Sequence, residues 1–128
     1  MRTQYHFRRS SRGLCAWNVR RLIEQSSALA AEQVALSAIR ELDEPYWASE
    51  RAHPLTCREV VGHAQLMLDC DLAYPVILSS DGRVMDGMHR IGKALLEGRS
   101  HLRQCAFSST LNPTISMFTR MICLIRAE

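Results

Sequence analysis

The sequence predicts an α+β fold in which a small mixed β-sheet is flanked by helices. Segments with the helical spacing of apolar residues alternate with short β-rich segments, and the dipeptide Asp81-Gly82 separates two of the latter as a hairpin turn does. A chain of 128 residues with 47% hydrophobic residues is long enough for one core and too short for two. We therefore expect one domain, over residues 17–107, with an extension at each end.

The first extension, residues 1–16, is expected to be a poorly ordered basic arm. The first 21 residues hold six of the sixteen basic residues and no acidic residue, so the rest of the chain carries ten basic against thirteen acidic groups. Such an arm can neutralise nucleic-acid phosphates without reading sequence. The alternative to a phosphate-binding arm is that these residues are only an unstructured extension, or that the start codon has been placed too far upstream. The basic residues are Arg2, Arg8, Arg9, Arg12, Arg20 and Arg21.

The domain is expected to begin with an additional N-terminal helix over residues 17–31, where apolar residues recur at helical spacing. Residues 33–37 alternate in polarity and predict a short strand. The strand leads into a segment over residues 38–44. Pro45 ends this segment, because the residue preceding a proline is pushed out of the helical region.

Three carboxylates, Glu41, Asp43 and Glu44, cluster after this strand beside Tyr46 and Trp47. Carboxylates next to aromatic rings can be desolvated and can then serve as catalytic bases. The alternative is a solvated acidic turn whose aromatic neighbours cover the core.

The next helix is expected to begin at Cys57, because Thr56 and Glu59 have the spacing of a capping box. Its apolar stripe should face the core, which leaves His63 at the surface or at the boundary of the core. The stripe consists of Val60, Val61, Ala64, Met67 and Leu68.

A strand over residues 74–79 is nearly all apolar, as expected where both faces of a sheet are covered. Asp81-Gly82 then predicts a two-residue turn that pairs Leu78 with Met85. The second strand ends at Asp86, and the chain enters a helix over residues 88–97 with Ile91, Ala94 and Leu95 directed inward. Gly98 supplies its left-handed stop.

The entry into this helix predicts a phosphate pocket at Gly87, Met88, His89 and Arg90. Gly87 allows the backbone to approach a ligand, and the first N–H groups of a helix have no partner inside it. The helix dipole and the charge of Arg90 add to this attraction for anions. Lys93, one turn further, is a second candidate cation, with a solvated lysine as the alternative.

The neighbouring side chains have competing interpretations. Asp86 is either a metal ligand, for example for Mg²⁺, or an N-cap that accepts hydrogen bonds from the amides of Met88 or His89. His89 donates either to a phosphate or to a carbonyl at the start of the helix. Arg90 binds either a phosphate or an acidic residue elsewhere on the surface.

The chain is expected to close with a strand over residues 101–107 and a helical extension over residues 108–128. Asn112-Pro113 resembles an N-cap followed by the first helical residue, and apolar residues recur at helical spacing over residues 114–126. This amphipathic helix can pack on the domain or pair with another subunit, so a homodimer is one expectation.

Cysteine usage and hydropathy predict a soluble cytoplasmic protein. The five cysteines form no C-x-x-C pair, and an odd number fits poorly with a secreted disulfide scaffold. No apolar run approaches the roughly 20 residues that span a bilayer, and the N-terminus lacks the apolar segment of a secretory signal.

The order of these segments resembles the ParB/sulfiredoxin-like domain over about residues 34–107. The resemblance consists of VALSAI, TCREVV, YPVIL, a DG turn, and a DG-x-HR motif inside DGMHRIGKALLEG at the junction between strand and helix. It implies that Gly87, His89 and Arg90 contact nucleotide phosphates, as the matching residues of sulfiredoxin do.

Met88 occupies the position of the reactive cysteine of sulfiredoxin, and a thioether cannot become a thiolate, so sulfinic acid reduction is not expected. The partition proteins of this superfamily carry an acidic residue and two arginines here, which argues against their CTP hydrolysis, and no helix-turn-helix domain follows Phe107. The free-serine kinases have DG, two histidines and an arginine. Their glutamate base corresponds loosely to Glu41, Asp43 or Glu44.

Two hypotheses follow for the function. The first is a nucleotide-binding enzyme: a kinase acting on a small molecule, or a nucleotide hydrolase, that uses ATP, ADP or another nucleotide with Mg²⁺. The second is a non-catalytic module that binds a nucleotide, or binds nucleic acid through its basic arm. Neither hypothesis involves a membrane.

Overall fold

A computed structural model of the chain describes residues 5–10, 13–48, 53–107 and 115–117. The fold is α+β, with three α-helices, two small sheets and two short 3-10 turns, Leu36–Ala38 and Arg40–Asp43, among these residues. In chain order the elements are β1 (Tyr5–Ser10), β2 (Gly13–Asn18), α1 (Val19–Ser26), β3 (Glu32–Ala35), α2 (Cys57–Asp69), β4 (Val76–Leu78), β5 (Val84–Asp86), α3 (Met88–Leu96), β6 (His101–Ala106) and β7 (Ile115–Met117).

The central sheet has four strands in the order β3-β6-β4-β5. Strand β4 runs parallel to β6, whereas β3 with β6 and β4 with β5 are antiparallel, so the sheet is mixed as expected. Successive side chains of a strand point to opposite faces. Val76 and Leu78 join the core on one face and Ile77 joins the core on the other, which explains why all three are buried.

Each face of this sheet has its own apolar core. Helix α3 and the turns after β3 cover one face, and the end of β2 with α1 covers the other. The first core contains Leu36, Ile39, Val76, Leu78, Val84, Met88, Ile91, Ala94 and Leu102. The second contains Trp17, Leu22, Ile77, Met85 and Phe107.

The N-terminal segment differs from the poorly ordered arm expected over residues 1–16. Strands β1 and β2 form an antiparallel hairpin, with Tyr5 opposite Asn18 and Ser10 opposite Gly13. The pairing is anchored because Ala16 and Trp17 are buried, 0% and 7% exposed. The helix expected from residue 17 begins at Val19. Residues 1–4, 11 and 12 lie outside the described residues.

The C-terminal helix expected over residues 114–126 is not formed at residues 115–117. These residues are strand β7, which pairs with β2 so that Leu14 lies opposite Met117 and Ala16 lies opposite Ile115. The physical reason is that the outer edge of β2 offers unpaired backbone groups, and a third strand satisfies them. The remainder of the expected extension lies outside the described residues.

The β4–β5 hairpin forms where it was expected but with a different register. Leu78 lies opposite Val84 rather than Met85. A two-residue turn of the expected type requires positive φ at both central residues, and only Gly82 of that pair has it, at 82°. The loop is longer, and it closes with a hydrogen bond from the amide of Ser79 to the carbonyl of Arg83.

Helix α2 starts with the expected capping box: the amide of Glu59 donates to the Thr56 hydroxyl, and the amide of Thr56 donates to the Glu59 carboxylate. The prediction of its inward face is confirmed only in part, because Ala64 and Met67 are half-buried but the other three residues of the stripe are exposed. Val60, Val61 and Leu68 are 52%, 67% and 63% exposed.

Helix α3 follows the prediction more closely. Ile91 and Ala94 are buried, and Gly98 follows the helix with a φ of 71°. Leu95, expected to face inward, is 56% exposed. None of the helices among the described residues combines the length and the apolarity needed to cross a membrane.

Candidate functional site

The N-terminus of α3 is built on Gly87. This residue precedes the helix with a φ of 109°, a conformation that side chains disfavour. A Cβ atom at Gly87 would lie 2.7 Å from Cγ1 of Val76, a buried residue of the central sheet. Glycine is therefore required by the fold itself, independently of any ligand.

Among the described residues, no side chain caps this helix end. The predicted cap, Asp86, turns away: its Oδ2 atom accepts a hydrogen bond from Nη2 of Arg90 at 2.8 Å. The predicted metal ligation by Asp86 gains no support either, because no group of three or more His, Cys, Asp or Glu side chains converges within the part of the chain that the structure describes. The first N–H groups of α3 stay open to an acceptor.

The structure gives Arg90 an acidic partner, which was one of the two alternatives expected for it, together with two carbonyls that the sequence did not indicate. Its Nη1 donates to the carbonyls of Tyr74 and Pro75, at 3.0 and 2.8 Å, while Nη2 holds Asp86. The guanidinium therefore joins the segment before β4 to the end of β5. Arg90 also lines a different cavity from His89, one of about 660 Å³ between α1 and the sheet.

Lys93 is also engaged by the protein rather than free for a ligand. Its Nζ donates to the carbonyls of Leu68 and Cys70, at 3.1 and 2.6 Å. These carbonyls belong to the C-terminal end of α2, whose last carbonyls have no partner inside the helix. The ammonium therefore stabilises a helix end.

The acidic cluster holds the β4–β5 loop instead of a ligand. Glu41 is 5% exposed; its Oε2 accepts from the amide of Val84 at 2.6 Å, and its Oε1 lies 3.6 Å from Nη1 of Arg83. Both carboxylate oxygens of Glu44 accept from the same Nη1, at 2.8 and 2.9 Å, and this bond is the main cause that raises the pKa of Arg83. Asp43 is exposed.

A cavity of about 440 Å³ opens at the N-terminus of α3. Its wall combines aromatic rings with the residues that begin the helix. Of the described residues in this wall, Asp86 alone carries a carboxylate, so the predicted bases Glu41, Asp43 and Glu44 lie elsewhere. The lining residues are Tyr5, His6, Val19, Tyr46, Trp47, Met85, Asp86, Gly87, Met88 and His89.

Beside this cavity, two histidines share a hydrogen bond on the face of a tryptophan. His63 Nδ1 and His89 Nε2 are 2.8 Å apart, and the ring centres are 5.1 Å apart. Nitrogens that are 2.8 Å apart in rings whose centres are 5.1 Å apart mean that the two imidazoles lie edge to edge. Trp47 stacks on both, with ring centres 4.5 Å from His63 and 5.1 Å from His89.

Sequence reasoning missed the part of His63 in this cluster. The two histidines are 26 residues apart and lie on different helices, so no local spacing connects them. One signal was present: His63 and Met67 are four residues apart and share a face of α2. The Cβ atom that a side chain at Gly92 would carry lies 2.5 Å from Sδ of Met67, so this face packs closely on α3.

Burial is the main cause that lowers the pKa of His89, followed by the proximity of His63, and Asp86 opposes both effects. His89 is consequently neutral over a wider pH range than an exposed histidine. Its protonated form carries a cost of desolvation, which an anionic partner at the cavity would offset.

The arrangement combines open helix amides, a titratable imidazole and several aromatic rings around one cavity. Amides at a helix N-terminus bind anions, and aromatic side chains stack on flat heterocycles. Of the residues expected at the phosphate pocket, Gly87, Met88 and His89 line this cavity. The charged groups of Arg90 and Lys93 are directed to other parts of the protein. Comparison of this chain with protein-family models, with curated proteins and with solved structures finds no match.

Proposed function

We propose that this chain is a phosphate- and nucleotide-binding protein with a ParB/sulfiredoxin-like domain, and that its ligand binds in the cavity at the N-terminus of α3. One observation carries the proposal: a nine-residue helix begins after Gly87 without a side-chain cap from the residues that the structure describes, in the wall of a cavity of about 440 Å³. Tyr46 and Trp47 in the same wall suit a nucleobase or another flat ring.

The proposal favours binding without catalysis. Glu41 and Glu44 bind Val84 and Arg83, and neither lies in the cavity wall, so the general base of a kinase or hydrolase has no counterpart in the acidic cluster. We expect ATP and ADP to bind without being consumed. A phosphate-release assay with ATP and Mg²⁺ tests this, and turnover that Asp43→Asn abolishes would restore the catalytic hypothesis.

Binding is tested by calorimetric titration of the whole chain with ATP, ADP, CTP, GTP and inorganic phosphate. At least one of them should bind, and His89→Asn should weaken that binding about tenfold, because a hydrogen bond to a charged group contributes about 1.5–3 kcal/mol. The matched control is His101→Asn, an exposed histidine of β6 that does not line the cavity. Absence of binding for all five compounds would overturn the proposal.

Binding of nucleic acid is the second candidate. It is supported by the position of Arg8 and Arg9 on β1 and by the exposure of Arg20 and Arg21 on α1. Contacts with phosphates would make such binding fall steeply with added salt. A fluorescence-anisotropy titration with a short DNA duplex at two salt concentrations separates this function from nucleotide binding.

A further inference from the structure

The two cations expected at the N-terminus of α3, Arg90 and Lys93, are engaged elsewhere in the protein. Each terminal nitrogen of Arg90 already has a protein acceptor, and Lys93 binds the end of α2. Among the described residues that line the cavity, only His6 and His89 can carry a positive charge. The positive charge that these residues can give to the cavity wall therefore depends on pH.

We propose that His63 and His89 act as one titratable unit that supplies this charge, so that anions bind at the N-terminus of α3 more tightly in mildly acidic solution. This inference rests on the proposed binding site. It assigns His63, which does not line the cavity, as a positioning residue for His89.

The edge-to-edge geometry limits the pair to one added proton. In the neutral pair, one of the facing nitrogens donates and the other accepts. A first added proton leaves this bond intact and protonates an outer nitrogen. A second would set two N–H groups against each other at 2.8 Å. The pair therefore carries at most a single charge under mild conditions, and its protons come off in steps that belong to the pair.

Other groups around the pair define its electrostatic surroundings. Asp86, at the end of β5, opposes the fall in the pKa of His89 and is itself paired with Arg90 of α3. Tyr5 and His6 of β1 and Tyr46 of the loop after β3 share the cavity wall. Glu59 lies one turn before His63 on α2. Trp47 stacks on both rings, and a tryptophan face attracts a cation.

Binding and protonation must strengthen each other. An anion at the helix end favours the charged pair, and the charged pair favours the anion, by the same factor. Asparagine at position 63 can still donate from its side-chain amide, which corresponds to the Nδ1 position of histidine, but it cannot take a proton. His63→Asn therefore keeps a hydrogen-bond donor for His89 and removes the ability of residue 63 to be protonated.

The test measures sulfate binding by calorimetry at about pH 5.5 and about pH 8, a range that brackets histidine titration. Sulfate is used because its own charge is constant over this range. Wild type should bind about tenfold more tightly at the lower pH, since a charge-assisted hydrogen bond is gained. His63→Asn should lose most of this difference and keep its affinity at the higher pH.

The control variant is His53→Asn, an exposed histidine outside the cavity wall, which should retain the difference between the two pH values. His6→Asn tests the other candidate for the charge: loss of the difference in this variant and not in His63→Asn would overturn the inference. Equal sulfate affinity at both pH values, or a difference that His63→Asn retains, would overturn this inference while leaving the binding site intact. Sulfate that binds at neither pH would overturn both proposals.

A second measurement does not depend on variants. Ring proton resonances of His63 and His89 in the wild-type chain, followed by NMR, should titrate together and shift to higher pH when sulfate is added. Two independent titrations, each unchanged by sulfate, would contradict the proposal.

Discussion

At the scale of single residues, Gly87 has two constraints that arise from different causes. Its φ of 109° disfavours any side chain, and the space that a Cβ would occupy is taken by Val76. Gly82 has only the first constraint: its φ is 82°, but no atom lies within 4 Å of its Cβ position.

Comparing the two alanine variants separates backbone strain from steric conflict. We expect Gly82→Ala to lower the free energy of unfolding by about 1 kcal/mol and Gly87→Ala by about 2–4 kcal/mol, because the second also displaces a buried side chain. Urea denaturation of both variants measures this. Equal losses would show that Val76 moves aside without cost.

Arg90 is expected to affect stability more than binding. Arg90→Ala removes two hydrogen bonds to the carbonyls of Tyr74 and Pro75 and leaves Asp86 without its partner at the edge of the core. The free energy of unfolding should fall by about 2–4 kcal/mol. Arg99→Ala is the control, because its ion pair with Glu97 is exposed and should contribute less than about 1 kcal/mol.

Residue-level prediction succeeded where the reason is local. The positive φ of Gly98 follows from its place after a helix, and the bond between Thr56 and Glu59 follows from their spacing. It did not identify the carbonyl partners of Arg90 and Lys93, which lie 15–25 residues away in the chain. A carbonyl exists at every position, so no sequence pattern marks it as a partner.

At the scale of elements, α2 is held by its ends and by one narrow contact. A capping box fixes its first turn, Lys93 binds its last carbonyls, and no residue along the helix is fully buried. Of the apolar stripe expected to face inward, Met67 packs against α3, whereas Val60, Val61 and Leu68 are exposed. The contact of His63 with His89 places His63 beside Met67 on the inward face of α2, which a rule based on apolar residues does not include.

The capping box should therefore contribute a large share of the stability of α2. Thr56→Ala is expected to cost about 1 kcal/mol and to speed hydrogen exchange of the α2 amides more than those of α3. Thr56→Ser keeps the hydroxyl acceptor and should resemble wild type. Uniform acceleration across both helices would contradict the view that α2 opens separately.

At the scale of the whole molecule, folding stability should depend on the protonation of His89. Its pKa is lowered in the folded state, so the unfolded chain binds more protons over the range below the ordinary histidine value of about 6.5. Stability is then fully present above about pH 6.5 and falls as the pH decreases below it.

Urea midpoints measured from about pH 7.5 to about pH 5.5 check this expectation over the range in which histidine titrates. The midpoint should fall with pH in wild type and in His101→Asn, and the fall should be smaller in His89→Asn. Added sulfate should reduce the fall in wild type, because it binds the charged form. An equal fall in all three chains would assign the effect to other groups.

The sequence predicted the α+β class, four of the seven described strands and all three described helices, because most of these elements are marked by residues close to them, such as Asp81-Gly82 or the capping box of Thr56 and Glu59. It did not predict the sheet of β1, β2 and β7. Strand β7 pairs with β2 about 100 residues earlier in the chain, and short strands become stable only through such partners.

The position of β6 inside the central sheet has a consequence for biosynthesis. This strand is the last of its sheet to leave the ribosome, and both of its neighbours, β3 and β4, precede it in the chain. Until Ala106 emerges, β4 has β5 as its only partner in that sheet. The nascent chain must therefore carry an unfinished apolar strand, and a chaperone that shields Val76–Leu78 during translation would raise the yield of native protein.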